Sequence, residues 1–170
     1  MDEAIGLSEQ FSKLVGKGYL EQIGLRGYVE IAHIRNGEVI DRREGPNLIT
    51  DAGRAGVAGL INGVITDFFD YIAIGTGATA AAAGDTTLQT EITTGGGARA
   101  LATLSRVTTT VTNDTAQAVL TFNFTSSFAV TEAGFLSASS AGTLLSRQVF
   151  SAVNVVNGDS LQVTWKIKAA

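Results

Sequence analysis

The residue types that could support catalysis are few in this chain. His33 is the single histidine, and it lies in phase with Val29 and Ile31 on a β-rich run. An imidazole placed among apolar neighbours on a strand is typical of a packed structural residue, so we predict no general base there. The chain has no cysteine, which excludes thiolate chemistry, disulfides and cysteine-ligated zinc. No catalytic residue is predicted, and the chain is not expected to be an enzyme.

Carboxylates and glycine-rich segments give no stronger signal. Asp67 and Asp70 form a close pair, but the ligand spacing of known calcium loops is absent. Glu91 and Glu132 lie at a distance from this pair that the sequence does not define. Gly75-Thr76-Gly77 lacks the third glycine and the helix of a dinucleotide site. We therefore predict no cofactor and no metal, and assign the acids to the capping of turns.

Charge is sparse and unevenly distributed. The net charge of −4 argues against nucleic acid or an anionic membrane as a partner, since either requires a basic surface. Residues 1–54 hold 16 of the 28 charged residues. The remaining two thirds of the chain either need little charge or lie against partners. The acidic N-terminus does not resemble a secretion signal, and no apolar run approaches membrane-spanning length.

Residues 1–25 are predicted to form an N-terminal arm. Phe11, Leu14 and Val15 share one face of a helical turn, and Gly16 and Gly18 end that turn. A short apolar face on a glycine hinge is either a flap on its own domain or an arm that docks on a neighbouring subunit. We assign the three apolar residues to assembly.

Residues 26–45 are predicted to form a β-hairpin. Asn36-Gly37 separates two β-rich runs, and this dipeptide suits a type I′ turn because both of its positions adopt positive φ. Arg42 and Arg43 lie on the charged edge of the second run. They are candidate contacts to an acidic partner, although a charged edge also simply discourages the addition of another strand.

The rest of the chain predicts a mainly β domain. A helix is expected at about residues 51–62, entered through Thr50 or Asp51, and a loop at 75–87. Strands are expected across 99–168, at 99–112, 116–125, 129–138, 144–150 and 160–168. The last strand alternates cleanly and turns Trp165 toward the core. The fold class expected for 26–170 is one antiparallel β-sandwich, of jelly-roll or Greek-key type, with one short helix.

An ordered set of motifs carries a resemblance to a known group of proteins. The motifs are Asn-Leu-Ile-Thr-Asp-Ala-Gly (47–53), Tyr-Ile-Ala-Ile-Gly-Thr-Gly (71–77), Asp-Thr-Thr-Leu-Gln-Thr-Glu (85–91) with Arg99, Val-Thr-Glu-Ala-Gly-Phe-Leu (130–136), Gly-Thr-Leu-Leu-Ser-Arg (142–147) and Gly-Asp-Ser-Leu-Gln-Val-Thr-Trp (158–165). Together they resemble the small structural proteins of tailed bacteriophages. The layout is similar to that of the N-terminal attachment domains of tail-collar fibre proteins. Fibre proteins continue into a shaft and a receptor-binding tip, which this sequence does not contain.

The resemblance implies a non-enzymatic virion protein, assembled in the host bacterial cytoplasm. It implies an assembly or attachment module of the tail or fibre apparatus, with capsid decoration as the alternative. The implied partners are further copies of the chain, a trimer being the expected state, and other virion proteins, with no nucleic acid and no membrane. A carbohydrate-binding β-sandwich is a further alternative, and it would require an exposed aromatic platform.

Overall fold

The computed structural model describes residues 24–169. It contains one helix and nine strands, which confirms the mainly β fold. In chain order the elements are β1 (Leu25–Arg35), β2 (Glu38–Ile49), α1 (Asp51–Ile61), β3 (Tyr71–Gly75), β4 (Ala100–Leu101), β5 (Thr103–Val107), β6 (Thr115–Asn123), β7 (Phe128–Leu136), β8 (Leu144–Val155) and β9 (Ser160–Ala169). The predicted arm, with Phe11, Leu14 and Val15, lies outside the described residues.

The nine strands form one sheet in which all neighbours are antiparallel. The order is β4-β3-β7-β8-β2-β1-β9-β6-β5. The two outermost strands, β4 and β5, are separated in sequence by Ala102 alone, so one short segment forms both ends of the sheet. The sheet is therefore nearly closed and barrel-like, an arrangement that leaves little exposed strand edge.

The predicted hairpin is confirmed. β1 and β2 pair around Asn36 and Gly37, whose φ angles are 53° and 82°, as a type I′ turn requires. β2 extends beyond its pairing with β1, and its last residues, Leu48 and Ile49, pair instead with β8. This strand therefore carries the chain from one half of the barrel to the other.

The helix follows immediately and packs closely on β8. The Thr50 hydroxyl caps it by accepting a hydrogen bond from the Gly53 N–H at 2.9 Å. A Cβ added at Gly53 would lie 2.2 Å from the carbonyl oxygen of Leu145. Glycine is thus required at this position for the helix to pack on β8, although it lowers the intrinsic helix propensity of the segment.

The core lies between the two halves of the barrel and is centred on Trp165. This side chain is fully buried, as the alternation of β9 predicted. Its indole Nε1 donates a hydrogen bond to Ser146 Oγ at 2.8 Å. Its ring lies 6.3 Å from that of Phe135, centroid to centroid. The hydrogen bond satisfies the only polar atom that this tryptophan brings into the core.

One predicted strand is shorter than expected. The sequence predicts a single strand over 99–112, whereas the structure has β4 and β5, divided at Ala102, and the second ends at Val107. Asp114 accounts for the early end of β5, because its carboxylate accepts hydrogen bonds from the N–H groups of Thr109, Thr110 and Val111. These side chain to backbone bonds fold residues 109–114 into a turn and compete with strand pairing.

Candidate functional site

The most elaborate polar structure in the described residues holds the segment 76–90, which we call the anchored loop. This segment leaves β3 and has no regular secondary structure. Glu132 of β7 is fully buried beneath it. One carboxylate oxygen accepts hydrogen bonds from the N–H groups of Gly77 at 3.0 Å and Thr90 at 2.7 Å. The other accepts from the N–H of Gln89 at 3.0 Å, so one carboxylate ties together both ends of the loop.

The two glycines of the Gly75-Thr76-Gly77 motif make room for this carboxylate. A Cβ at Gly75 or at Gly77 would lie 2.5 Å from the same oxygen of Glu132. The two glycines therefore allow the backbone to pass close to a buried carboxylate. The likeness of the motif to a phosphate-binding loop is superficial.

Arg147 of β8 completes the anchor. Its side chain is 2% exposed, and its Nε donates to Glu132 at 2.9 Å. The remaining guanidinium nitrogens donate to the Asp85 carboxylate at 2.9 Å and to the Thr79 carbonyl oxygen at 3.1 Å. The planar fork of donors thus reaches two acids and one backbone group at the same time.

The environment keeps both acids ionised. Burial acts to raise the pKa of Glu132, but the Thr90 and Gln89 N–H groups and the Arg147 guanidinium outweigh it and lower the pKa overall. Burial likewise opposes ionisation of Asp85, and the Ala82 N–H and Arg147 lower its pKa below the ordinary value. A network of charged, satisfied partners therefore fixes the loop at neutral pH.

A second arginine supports the far end of the loop. Arg99 donates to both carboxylate oxygens of Glu91, with Nε at 2.9 Å from one of them. Its Nη1 donates to the carbonyl oxygens of Ala138 at 3.0 Å and Ala141 at 2.8 Å. Glu91 follows the loop directly and bridges back to Gly75. Arg99 and Glu91 therefore fix the C-terminal end of the anchored loop, in addition to the contacts that Glu132 and Arg147 make beneath it.

The tip of the anchored loop, residues 78–84, consists of alanine, threonine and glycine, and all of it is exposed except the half-buried Ala81. Gln89 crosses the loop, accepting from the Thr79 N–H at 2.9 Å and donating to its hydroxyl at 2.7 Å. The N–H of Asp51, at the start of α1, donates to Ala83 O at 2.8 Å. The arrangement presents a fixed backbone surface with small side chains, and it offers no nucleophile or base at the tip.

His33 lies in a separate buried cluster on the opposite half of the barrel. It is 5% exposed, and its Nε2 is 2.8 Å from Asp159 Oδ2. Arg35 donates two hydrogen bonds of 2.8 Å to the same carboxylate and lowers its pKa. Since the histidine is buried and its carboxylate is shared with an arginine, the cluster joins β1 to the turn before β9. The prediction of a packed, structural histidine is confirmed.

The acids considered in the sequence separate into different environments. Glu91 and Glu132 belong to the anchored loop, whereas Asp70 hydrogen-bonds through its backbone to Leu136 and Ala102. Burial raises the pKa of Asp70, and the neighbouring Asp67 adds to the effect. Within residues 24–169 no group of three or more histidines and acids is placed to hold a metal ion. In the same residues, no helix is both long and apolar enough to cross a bilayer.

Arg42 and Arg43 lie on β2, where each contacts an acid of its own chain. Arg42 pairs with Glu30 across the hairpin, and Arg43 pairs with Asp41 and donates to Ser151 Oγ at 3.1 Å. Exposed ion pairs of this kind contribute about 0–1 kcal/mol and exchange readily with a competing partner. Their role in assembly stays a prediction, and so does that of the arm residues.

No known protein family, no characterised protein and no solved structure matches this chain. The sequence analysis missed two residues of the site: it did not single out Arg147, and it did not predict that Glu132 holds the loop. Both are charged residues within apolar strand runs, in Val-Thr-Glu-Ala-Gly (130–134) and Leu-Leu-Ser-Arg (144–147). A charge at such a position is almost never fully buried unless it is paired, and this signal could have linked the two.

Proposed function

We propose that the chain is a non-enzymatic structural protein of a tailed bacteriophage particle, acting as an assembly or attachment module of the tail or fibre apparatus. One observation carries the proposal. Three of the motifs on which the resemblance rests meet in a single hydrogen-bonded network, and this network holds the exposed anchored loop in one conformation. Glu132, Arg147 and Asp85 come from three of those motifs, and Arg147 donates hydrogen bonds to both carboxylates. Their charges are used to hold backbone, which suits a protein that must present one shape to a partner.

The remaining features favour the same class of function. Three carboxylates with a lowered pKa, those of Glu132, Asp159 and Asp85, are each engaged by an arginine and by backbone N–H groups of the chain itself. We propose that the barrel-like sheet is at finer resolution a sandwich of jelly-roll or Greek-key type, with its two halves packed over Trp165. We further propose that the protein is a homo-oligomer, with a trimer as the expected state, located in the virion after assembly in the host cytoplasm.

The experiment that tests the proposal is quantification of the protein in purified particles of the phage that encodes it. Gel densitometry against the major capsid protein gives the copy number. A few to a few dozen copies per particle support the tail or fibre assignment, and hundreds support the alternative of capsid decoration. If washed particles contain no copies, the chain is not a virion protein.

The carbohydrate-binding alternative receives less support from the described residues. Trp165 is the single tryptophan, and it is fully buried and hydrogen-bonded to Ser146, so it is not a stacking platform for sugars. A glycan array on the purified protein would test this alternative directly. Binding to one class of glycan, lost on mutation of an exposed aromatic such as Phe68, would favour it.

We also propose that the arm serves assembly more than folding. A chain that begins near Gly24 is expected to melt within a few degrees of the full chain, and to sediment as a smaller species or fail to enter particles. Differential scanning calorimetry and sedimentation velocity measure the two properties. Loss of folding with unchanged association would show that the arm is a flap on its own domain.

A further inference from the structure

The positive charges of the described residues are distributed in an unexpected way. Most arginines and lysines of this part of the chain form ion pairs with carboxylates. Four have no carboxylate partner among residues 24–169: Arg26, Arg54, Arg106 and Lys166. Three of these four line the same cleft, a cavity of about 670 Å³ between the start of α1 and the strands β1, β2 and β9.

We call this cavity the basic cleft, defined by Leu25, Arg26, Asn47, Arg54, Lys166 and Lys168. Lys168 is the one cation of the cleft with a carboxylate within 4 Å among the described residues, at 3.8 Å from Asp114. Cations gathered without counter-charges repel one another, so the cleft favours an anionic occupant. Its volume falls in the range of about 300–1,000 Å³ that is typical of ligand-binding pockets.

Asn47 shows how the floor of the cleft is packed. The residue lines the cleft and is 8% exposed. Its carboxamide lies against Gly27, where an added Cβ would be 1.6 Å from the side-chain oxygen. Neither the carboxamide oxygen nor the nitrogen has a hydrogen-bond partner among the described residues, and both atoms are closed to solvent. The amide is therefore part of the packed floor, and the cations around it are the groups that an occupant can reach.

We propose that the basic cleft is the receptor for the acidic arm, residues 1–23, of a neighbouring copy of the chain. This inference rests on the proposed structural role and names the contact that would join the subunits. The arm carries Asp2, Glu3, Glu9 and Glu21 against Lys13 and Lys17, so its charge is opposite to that of the cleft. Its apolar residues Phe11, Leu14 and Val15 would pack beside the apolar rim at Leu25.

The length of the arm permits the contact. An extended chain spans at most about 3.3–3.6 Å per residue, so the 16 steps from Glu9 to Leu25 reach roughly 50 Å. That distance exceeds the dimensions of a domain of this size, and the acids of the arm can therefore reach a cleft on another subunit. Arg54 and Lys166 would pair with these carboxylates.

Zero-length cross-linking of the full-length protein tests the proposal. Equal amounts of ¹⁴N- and ¹⁵N-labelled protein are mixed, treated with a carbodiimide, and digested for mass spectrometry. Lys166 and Lys168 are expected to link to acids within residues 1–23, and mixed-isotope pairs are expected because the link joins two copies. Links only to acids of residues 24–169, links within one copy only, or no links at all would each overturn the proposal.

Three variants sharpen the result. Arg26→Gln with Arg54→Gln should reduce the yield of arm links roughly fivefold, the effect of about 1 kcal/mol of lost pairing. Arg106→Gln removes the fourth unpaired cation, which lies outside the cleft, and should leave the yield unchanged. Asn47→Leu should leave the yield unchanged while the protein melts no lower than the parent, because the variant replaces a buried amide that has no partners and that an occupant does not reach. Equal yields in cleft and control variants would overturn the assignment.

This test is separate from that of the proposed function. Cross-links can form in a protein that particles lack, in which case the phage role fails and the cleft assignment stands. Conversely, a virion protein without arm links refutes only the cleft assignment.

Discussion

Replacement of Glu132 by glutamine should release the anchored loop with little change in side-chain volume. The carboxylate accepts hydrogen bonds from three backbone N–H groups and contacts two nitrogens of Arg147. A carboxamide accepts through one end only, so at least two of these donors lose their acceptor in either orientation. At about 1.5–3 kcal/mol for each hydrogen bond to a charged group, the loss is about 3–6 kcal/mol. The cost of breaking a buried ion pair, about 3–5 kcal/mol, agrees with it.

The expected loss of stability is therefore about 3–5 kcal/mol, which for a domain of this size corresponds to a drop in Tm of roughly 6–20 °C. Differential scanning calorimetry at pH 7 measures the drop. Amide hydrogen exchange locates it, because the N–H groups of Gly77, Gln89 and Thr90 should lose protection first. The matched control is Asp41→Asn, which removes an acid from the exposed pair with Arg43 and should cost less than about 1 kcal/mol.

Two outcomes would refute this reasoning. A Glu132→Gln protein that melts within about 2 °C of the parent would show that the carboxylate contributes little to stability. A large fall in Tm with full protection of the three loop amides would show that Glu132 stabilises the barrel without holding the loop.

Three further predictions concern the pH dependence of stability, the buried tryptophan and the packing of the helix. The folded state lowers the pKa of Glu132 and of Asp159. The stability that their carboxylates contribute is therefore complete above the ordinary carboxyl pKa of about 4, and it is lost as the pH falls further. In calorimetry, Tm should be level between about pH 5 and 8 and should decline below pH 4. Trp165→Ala should cost about 3–5 kcal/mol, measured by urea unfolding, and an unchanged Tm with loss of glycan binding would favour the carbohydrate alternative. Gly53→Ala should destabilise the protein through its clash with the Leu145 backbone of β8. Gly45→Ala on β2, where an added Cβ meets nothing within 4 Å, should be neutral or stabilising by up to about 1 kcal/mol, and the same sign for both variants in calorimetry would contradict the packing argument.

Local features of the fold were accessible from the sequence because they depend on few neighbours. Asn36-Gly37 determines its own turn, Thr50 caps the helix that follows, and the alternation of β9 identifies the face that carries Trp165. Each of these patterns acts over a few residues, and each element was confirmed with only small shifts of its boundaries.

The arrangement of the strands was not accessible in the same way. β1 pairs with β9, whose residues lie more than a hundred positions further along the chain, and no local pattern specifies that register. The run 99–112 predicts one strand, whereas the chain divides at Ala102, whose N–H donates to Asp70 O, and β5 ends before the turn that Asp114 holds. Long-range pairing and side chain to backbone bonds decided both cases.

The candidate site was predicted in its parts and missed as a whole. The motifs around Gly75, Asp85 and Glu132 were recognised as an ordered set, but their meeting depends on the pairing of β3, β7 and β8. The partnership of Glu132 with Arg147 joins neighbouring strands, and the sequence places no constraint on which acid an arginine reaches.

The anchoring of the loop from below has a consequence for how such a surface can change. The path of residues 76–90 is set by backbone bonds to Glu132 and Arg147, and the side chains of residues 78–84 contribute little to it. Substitutions at the tip can therefore alter the shape and chemistry of this surface while the fold beneath remains the same. The loop separates the residues that maintain its path from the residues that can diversify, so the sequence of the tip can change without a loss of stability that would have to be compensated elsewhere.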